Sequence, residues 1–181
     1  MMLKVEEQAT LLRMARETLQ QYLQDGSMPD YPDASEGLRQ PGGAFVTLKQ
    51  GGELRGCIGQ LRSEAELYRT VQEMAIAAAT EDPRFYAVSL ADLASLQIEI
   101  SVLSPLQAVR SPDEIEVGRD GLLIEREACS GVLLPQVATE WGWERDEFPR
   151  QVCLKARLPP DAWRRPDATL YRFGAQVFGE R

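Results

Sequence analysis

The chain has 181 residues and a mass of 20.2 kDa, with 44% hydrophobic and 27% charged residues. This is the composition of an ordinary soluble globular domain and excludes disordered, collagen-like and coiled-coil classes. A formal net charge of −8 and a pI of about 4.7 oppose binding to nucleic acid or anionic lipid. The sequence contains no histidine, which excludes Ser-His-Asp and Cys-His couples and histidine-ligated zinc.

The N-terminal segment predicts an amphipathic helix from Val5 to Asp25, ended by Gly26. Charged residues interrupt this segment, so it lacks the apolar run of a signal peptide. No later stretch approaches the roughly 18 apolar residues of a membrane span. We therefore expect a cytoplasmic protein with reduced thiols and no membrane association. Residues 27–43, rich in Pro, Gly, Asp and Ser, predict a long surface loop.

A β-hairpin is predicted next, because GAFVTLKQ and ELRGCIGQL are separated by two glycines. A two-residue turn would place Leu48 opposite Arg55 and Val46 opposite Cys57. Arg55 and Cys57 would then share a face, with their Cα atoms about 7 Å apart.

The central segment predicts a helix opened by a capping box at Ser63–Glu66 and ended near Asp82 by Pro83. A second capping box, Ser89–Asp92, opens a short helical turn. The alternation in LQIEISVLS then predicts a half-buried strand.

The C-terminal half predicts two strands around a turn at 128–131, helices beginning at Pro135 and after Asp146, and a closing strand, LYRFGAQVF. Several strands are linked directly by hairpins, so we predict an α+β fold with a largely antiparallel sheet packed with helices. No linker divides the chain. We expect a single domain over residues 1–181. This expectation is compatible with two intertwined lobes.

The segment LRGCIG carries the strongest chemical signal, because Gly56 and Gly59 bracket Cys57 within a strand. A glycine there marks a bulge or the close approach of a backbone or ligand, so the thiol could be accessible. A nearby Arg55 would favour the thiolate. The alternative is that Cys57 is a small buried hydrophobe and that both glycines serve packing.

A second candidate is EDPRF, in which Glu81 and Asp82 could supply an acid or base and Arg84 could bind an anion. The alternative is a helix exit in which Asp82 and Arg84 pair with each other. We expect Cys129 to be exposed and Cys153 to be half-buried. The spacing of the three cysteines does not indicate a metal site, and we expect no cofactor.

The sequence resembles the AMMECR domain family, whose bacterial and archaeal members are called AmmeMemoRadiSam system protein A. The resemblance covers residues from about 40 to 178 in collinear segments: GAFVTLK, LRGCIGQL, EDPRF, QIEISVLSP, EIEVGRDGLLI, GVLLPQVATEWGW and LYRF. It implies an α+β module with an antiparallel sheet and a smaller lobe beside it. It implies no agreed activity, but an association with a Memo-like protein and a radical SAM protein.

Several positions depart from the family pattern, among them Pro149, where a less constrained residue is usual, and Gln60, where threonine is common. Histidine is frequent where this chain has Asp120, so no mechanism using that histidine can operate here. Glycine is frequent where this chain has Arg157.

Two functional hypotheses follow. The first is a binding or accessory module that docks these partners, or a small-molecule or peptide ligand, through the groove around LRGCIG; its expected ligand-binding residues are Arg55, Gly56, Gly59 and Arg84. The second is an enzyme that uses Cys57 as a reactive thiol on a small anionic substrate, with Asp82 or Glu81 as the base.

Overall fold

The computed structural model describes residues 2–181, which form two compact units. Unit one comprises residues 2–103 and 176–181, and unit two comprises residues 104–175. Helices accompany antiparallel strands, which confirms the predicted α+β fold. Among the described helices, none combines the length and apolar character needed to cross a membrane.

Unit one places helices on one face of an antiparallel sheet. Its elements are α1 (Val5–Asp25), α2 (Glu36–Arg39), β1 (Ala44–Gln50), β2 (Glu53–Gln60), α3 (Leu67–Thr80) and β3 (Leu96–Leu103). The strand order is β2-β1-β3, so β2 is the outermost strand. Val46 and Leu48 lie in the core with Ala75 of α3 and Leu11 of α1. The predicted bounds of the first helix are confirmed.

Unit two is built around a second antiparallel set of strands. Its elements are β4 (Gln107–Ala108), β5 (Asp120–Arg126), β6 (Cys129–Leu133), α4 (Pro135–Trp141), α5 (Glu147–Lys155) and the first part of β7 (Thr169–Gly179). β5 lies between β6 and β7, and β4 pairs with β7. Leu122 and Ile124 of β5 pack with Phe148 and Val152 of α5.

Local signals predicted most element starts in the C-terminal half. Pro135 begins α4, and Asp146 precedes α5 as its N-cap residue. The predicted turn at 128–131 is wrong, because β6 already begins at Cys129. Arg157, just after α5, has φ of 62°, in the left-handed region that favours glycine. This backbone conformation explains why glycine suits that position.

The capping box predicted at Ser63–Glu66 is wrong, whereas the one at Ser89–Asp92 is confirmed. α3 begins at Leu67, whose backbone N–H donates to the carbonyl of Gln40 at 2.9 Å. The carbonyl of Gln40, at the C-terminal end of α2, therefore accepts a hydrogen bond from the first N–H group of α3. A side-chain cap would otherwise have to satisfy a donor of this kind.

Candidate functional site

The predicted hairpin register is wrong beyond its first pairs. Gln50 lies opposite Glu53 as expected, but a β-bulge between Leu48 and Lys49 shifts the pairing. Leu48 lies opposite Gly56, and Cys57 lies opposite Thr47 instead of Val46. Because directly opposed side chains share a face, Cys57 lies with Thr47 on the face away from the core of unit one.

Gly56, next to the bulge, lies where the backbone of α3 approaches β2 closely. A Cβ atom at Gly56 would lie 2.1 Å from the carbonyl oxygen of Ala78. A Cβ atom at Gly59 would lie 2.1 Å from Cγ of Phe45, its partner across β1. Close approach of a backbone and of an aromatic ring therefore accounts for both glycines, and their expected role in ligand binding stays a prediction.

Asp82 is a buried carboxylate next to Cys57. It is 5% exposed, and its two carboxylate oxygens accept hydrogen bonds from Arg84 Nε at 3.0 Å and Arg84 Nη2 at 2.7 Å. The backbone N–H of Cys57 donates to Asp82 Oδ2 at 3.0 Å. Asp82 thus satisfies a backbone donor on the outermost strand while Arg84 neutralises its charge.

These contacts set the electrostatics of the pair. The hydrogen bonds from Arg84, together with the backbone N–H of Cys57, hold the pKa of Asp82 well below its usual range, although burial opposes this. The same pairing raises the pKa of Arg84, with a smaller contribution from the charge of Cys57. Asp82 is therefore a fixed carboxylate at neutral pH and a poor proton acceptor.

The thiol of Cys57 is partly buried, and its Sγ lies 3.3 Å from Thr47 Oγ1. Arg55 does not contact this sulfur through any hydrogen bond of the described residues; its Nη1 donates to the carbonyl of Tyr86 at 2.6 Å. Glu81 is exposed at the end of α3. The structure therefore brings Asp82 to the backbone of Cys57, pairs Arg84 with Asp82, and leaves Glu81 exposed.

The other two cysteines differ sharply from each other. Cys129 is exposed as predicted, but Cys153 is fully buried in the core of unit two instead of half-buried. Burial raises the pKa of the Cys153 thiol, which makes it unreactive in the folded protein. Within residues 2–181, no group of three or more potential metal ligands is placed to hold an ion.

A second buried carboxylate, Asp120 in unit two, was not selected as a site residue by sequence reasoning. It is 2% exposed and accepts from Arg119 Nε at 2.9 Å, Arg119 Nη2 at 2.8 Å and the backbone N–H of Glu116 at 2.9 Å. Burial raises the pKa of Asp120, but the hydrogen bonds from Arg119 and from the backbone N–H of Glu116 together outweigh it and lower the pKa below its usual value. Arg172 of β7 lies 3.9 Å away. In the sequence, the adjacency of Arg119 and Asp120 was the signal for this buried cluster, because Arg172 is far from both residues along the chain.

Comparison with known proteins places the chain among archaeal relatives. A protein of Methanothermobacter thermautotrophicus is 44% identical over 184 residues, covering 97% of this chain and 95% of the relative. Protein TK0174 of Thermococcus kodakarensis is 44% identical over 181 residues, covering 94% of this chain and 88% of the relative. The crystal structure of the uncharacterized protein PH0010 from Pyrococcus horikoshii superposes with a TM-score of 0.90 at 39% identity, covering 99% of this chain and 94% of that one. Since the AMMECR1 family profile also matches residues 12–178, this chain belongs to the AMMECR1 family.

Proposed function

We propose that this chain is a binding component that docks a Memo-like protein and a radical SAM protein through the outer edge of β2. The observation that carries the proposal is the state of Asp82. Both of its oxygens are occupied by Arg84, and one also accepts the N–H of Cys57. A carboxylate held in this way stabilises the strand edge and does not serve Cys57 as a base.

The same edge carries groups suited to recognition. We define the β2 edge surface as Leu54, Arg55, Cys57, Arg84 and Tyr86. Tyr86 is 94% exposed and Leu54 is 41% exposed, and the side chain of Arg84 is 56% exposed. Exposed tyrosine and arginine are the side chains that most often dominate binding energy at interfaces. The two guanidinium groups favour an acidic segment of a partner, or an anionic small-molecule or peptide ligand.

The experiment is co-purification of the full chain with both partners from cells that express all three proteins. Arg55→Glu reverses the charge at a residue whose hydrogen bond is made to one exposed loop, so the fold should survive. The matched control is Arg150→Glu, on α5 of unit two, where the arginine pairs with Glu147 at 3.6 Å. We expect Arg55→Glu to lose partner retention and Arg150→Glu to keep it. Failure of the unmodified chain to retain either partner would overturn the proposal.

One observation favours the second candidate function, an enzyme with Cys57 as a reactive thiol. Cys57 is partly exposed, and its backbone N–H donates to Asp82, whose carboxylate binds the Arg84 guanidinium at 2.7 Å. A nearby cation stabilises a thiolate, which is the reactive form of cysteine. Arg84 would then have two roles, as the partner of Asp82 and as the positive charge beside the sulfur.

The rate of iodoacetamide alkylation, followed by peptide mass spectrometry from pH 5 to 9, tests this alternative. Cys129 is the exposed control, and Cys153 is the buried control that should react only on unfolding. Under the binding proposal, Cys57 reacts more slowly than Cys129 at every pH, because it is partly buried and has no free base beside it. Faster labelling of Cys57 than of Cys129 below about pH 8 would favour the enzyme.

A further inference from the structure

We infer that unit two contains a binding site for a small oxyanion, a phosphate or carboxylate group, centred on Arg172 in the cavity beside Asp120. The cavity has a volume of about 240 Å³. Ligand pockets for whole drug-sized molecules begin at roughly 300 Å³, so this one suits a single anionic group. The residues that matter for the argument are Ser104, Gln107, Arg119, Asp120, Arg172 and Gly174.

The first observation is an unsatisfied donor. The Nε atom of Arg172 is buried and has no hydrogen-bond partner among the described residues. Its guanidinium approaches Asp120 Oδ1 only to 3.9 Å, which is too long for a hydrogen bond. Buried polar atoms are almost always hydrogen-bonded, and an arginine donor is especially costly to leave without a partner.

The second observation is the charge of the cavity. Asp120 is already neutralised, because Arg119 binds both of its oxygens and the backbone N–H of Glu116 adds a third hydrogen bond. The charged side chains lining the cavity are Arg119, Arg172 and Asp120. Arg119 also pairs with Glu116 at 2.9 Å, so Arg172 is the arginine of this cluster that has no carboxylate oxygen within hydrogen-bond distance.

The third observation is the remaining donors in the lining. Ser104 Oγ accepts the backbone N–H of Gly174 at 2.7 Å, which leaves the serine hydroxyl hydrogen free to donate. Gln107 lies opposite Arg172 in the β4–β7 pair and carries an amide donor. A guanidinium flanked by a hydroxyl and an amide is the donor set that binds phosphate or carboxylate oxygens.

The test uses the full-length, ¹⁵N-labelled protein. Inorganic phosphate and acetate are each titrated at constant ionic strength, with chloride as the control anion. The Nε–H resonance of Arg172, assigned by its loss in Arg172→Gln, reports the site directly. We expect saturable one-site binding of at least one oxyanion and a shift of this resonance. Tighter binding of phosphate would identify the ligand group as a phosphate, and tighter binding of acetate would identify it as a carboxylate.

Two variants and a control complete the test. Removing a charge-assisted donor should weaken binding about tenfold in Arg172→Gln. Gln107→Glu places a negative charge in the exposed wall of the cavity, so it should also weaken binding even if Arg172→Gln does not fold. Arg150→Gln, on α5, should leave binding unchanged. The inference is overturned if neither oxyanion moves the Arg172 resonance more than chloride does, or if binding is insensitive to Gln107→Glu.

Discussion

Asp82 in unit one and Asp120 in unit two are buried carboxylates held by the same device. Each is bound through both oxygens by an arginine close in sequence. Asp82 accepts the backbone N–H groups of Cys57 and Arg84, and Asp120 accepts that of Glu116. The two carboxylates differ in the residues that lie beside them. Asp82 fastens the outermost strand, whereas Asp120 has a further arginine 3.9 Å away with an unsatisfied donor.

This difference teaches that a buried aspartate beside a guanidinium is not by itself a catalytic signal. Around Asp82 the contacts are complete, so the pair supports structure and presents an exposed Arg84 at the β2 edge surface. Around Asp120 the contacts leave Arg172 with a buried donor that has no partner, and that donor is what indicates a ligand. We therefore assign the recognition role in each region to an arginine, Arg84 or Arg172, and a structural role to the carboxylate.

The largest expected effect on stability comes from substituting glycines near the Asp82–Arg84 and Asp120–Arg119 pairs. Gly56→Ala would place a Cβ atom 2.1 Å from the backbone oxygen of Ala78, which cannot move without shifting α3. Gly121→Ala, next to Asp120, would meet the Phe173 ring at 2.5 Å and the backbone oxygen of Leu133 at 2.9 Å, a less severe backbone clash than the one at Gly56. We expect Gly56→Ala to lower the free energy of unfolding by about 3 kcal/mol, and Gly121→Ala to cost less.

Urea unfolding midpoints measure this difference. Gly42→Ala is the matched control, because its Cβ atom would meet Leu67 Cδ1 at an ordinary 3.6 Å. A Gly56→Ala midpoint equal to that of Gly42→Ala would show that α3 does not press on β2.

The next largest effect on stability is expected from removing Arg84 or Arg119. Arg84→Ala leaves Asp82 buried without its counter-charge and should cost about 2 kcal/mol of unfolding free energy. Arg119→Ala should cost less, because Arg172 can turn toward Asp120 and replace the lost charge. Chemical denaturation of the two variants tests the order. Arg69→Ala, which removes exposed ion pairs with Asp30 and Glu66 and a contact of the guanidinium with the Tyr68 ring, is the control expected to change little. Equal losses for Arg84→Ala and Arg119→Ala would remove the distinction between the two regions.

The smallest effect is the pH dependence of stability. Arg84 and Arg119 lower the folded-state pKa values of Asp82 and Asp120, so the folded protein binds fewer protons than the unfolded chain below about pH 4. This contribution is complete above the unfolded-state pKa and is lost as the pH falls toward the folded-state values. Stability should therefore decline from about pH 5 downward, and Asp82→Asn and Asp120→Asn should each flatten that decline.

Unfolding midpoints from pH 7 to 2 test this expectation. Asp113→Asn, at a side chain that is 90% exposed, should leave the pH profile close to that of the unmodified chain. A profile for Asp82→Asn that parallels the unmodified chain would mean that its carboxylate does not gain stability from Arg84.

The sequence by itself determined the parts of this protein that depend on neighbouring residues. The periodicity of residues 5–25 defined α1, and the alternation of LQIEISVLS defined β3, because both patterns repeat over a few residues. The segment EDPRF also allowed the pairing of Asp82 with Arg84, which are two residues apart. Motif resemblance identified the family.

Only the tertiary structure decided what these elements bring together. The bulge at Leu48, which moved Cys57 from Val46 to Thr47, accompanies the packing of α3 against Gly56. The contact of Asp82 with the N–H of Cys57 and the approach of Arg172 to Asp120 join residues far apart in the chain. Such contacts depend on how sheets and helices pack, because a side chain's partners are set by three-dimensional proximity, which no local pattern of residues encodes.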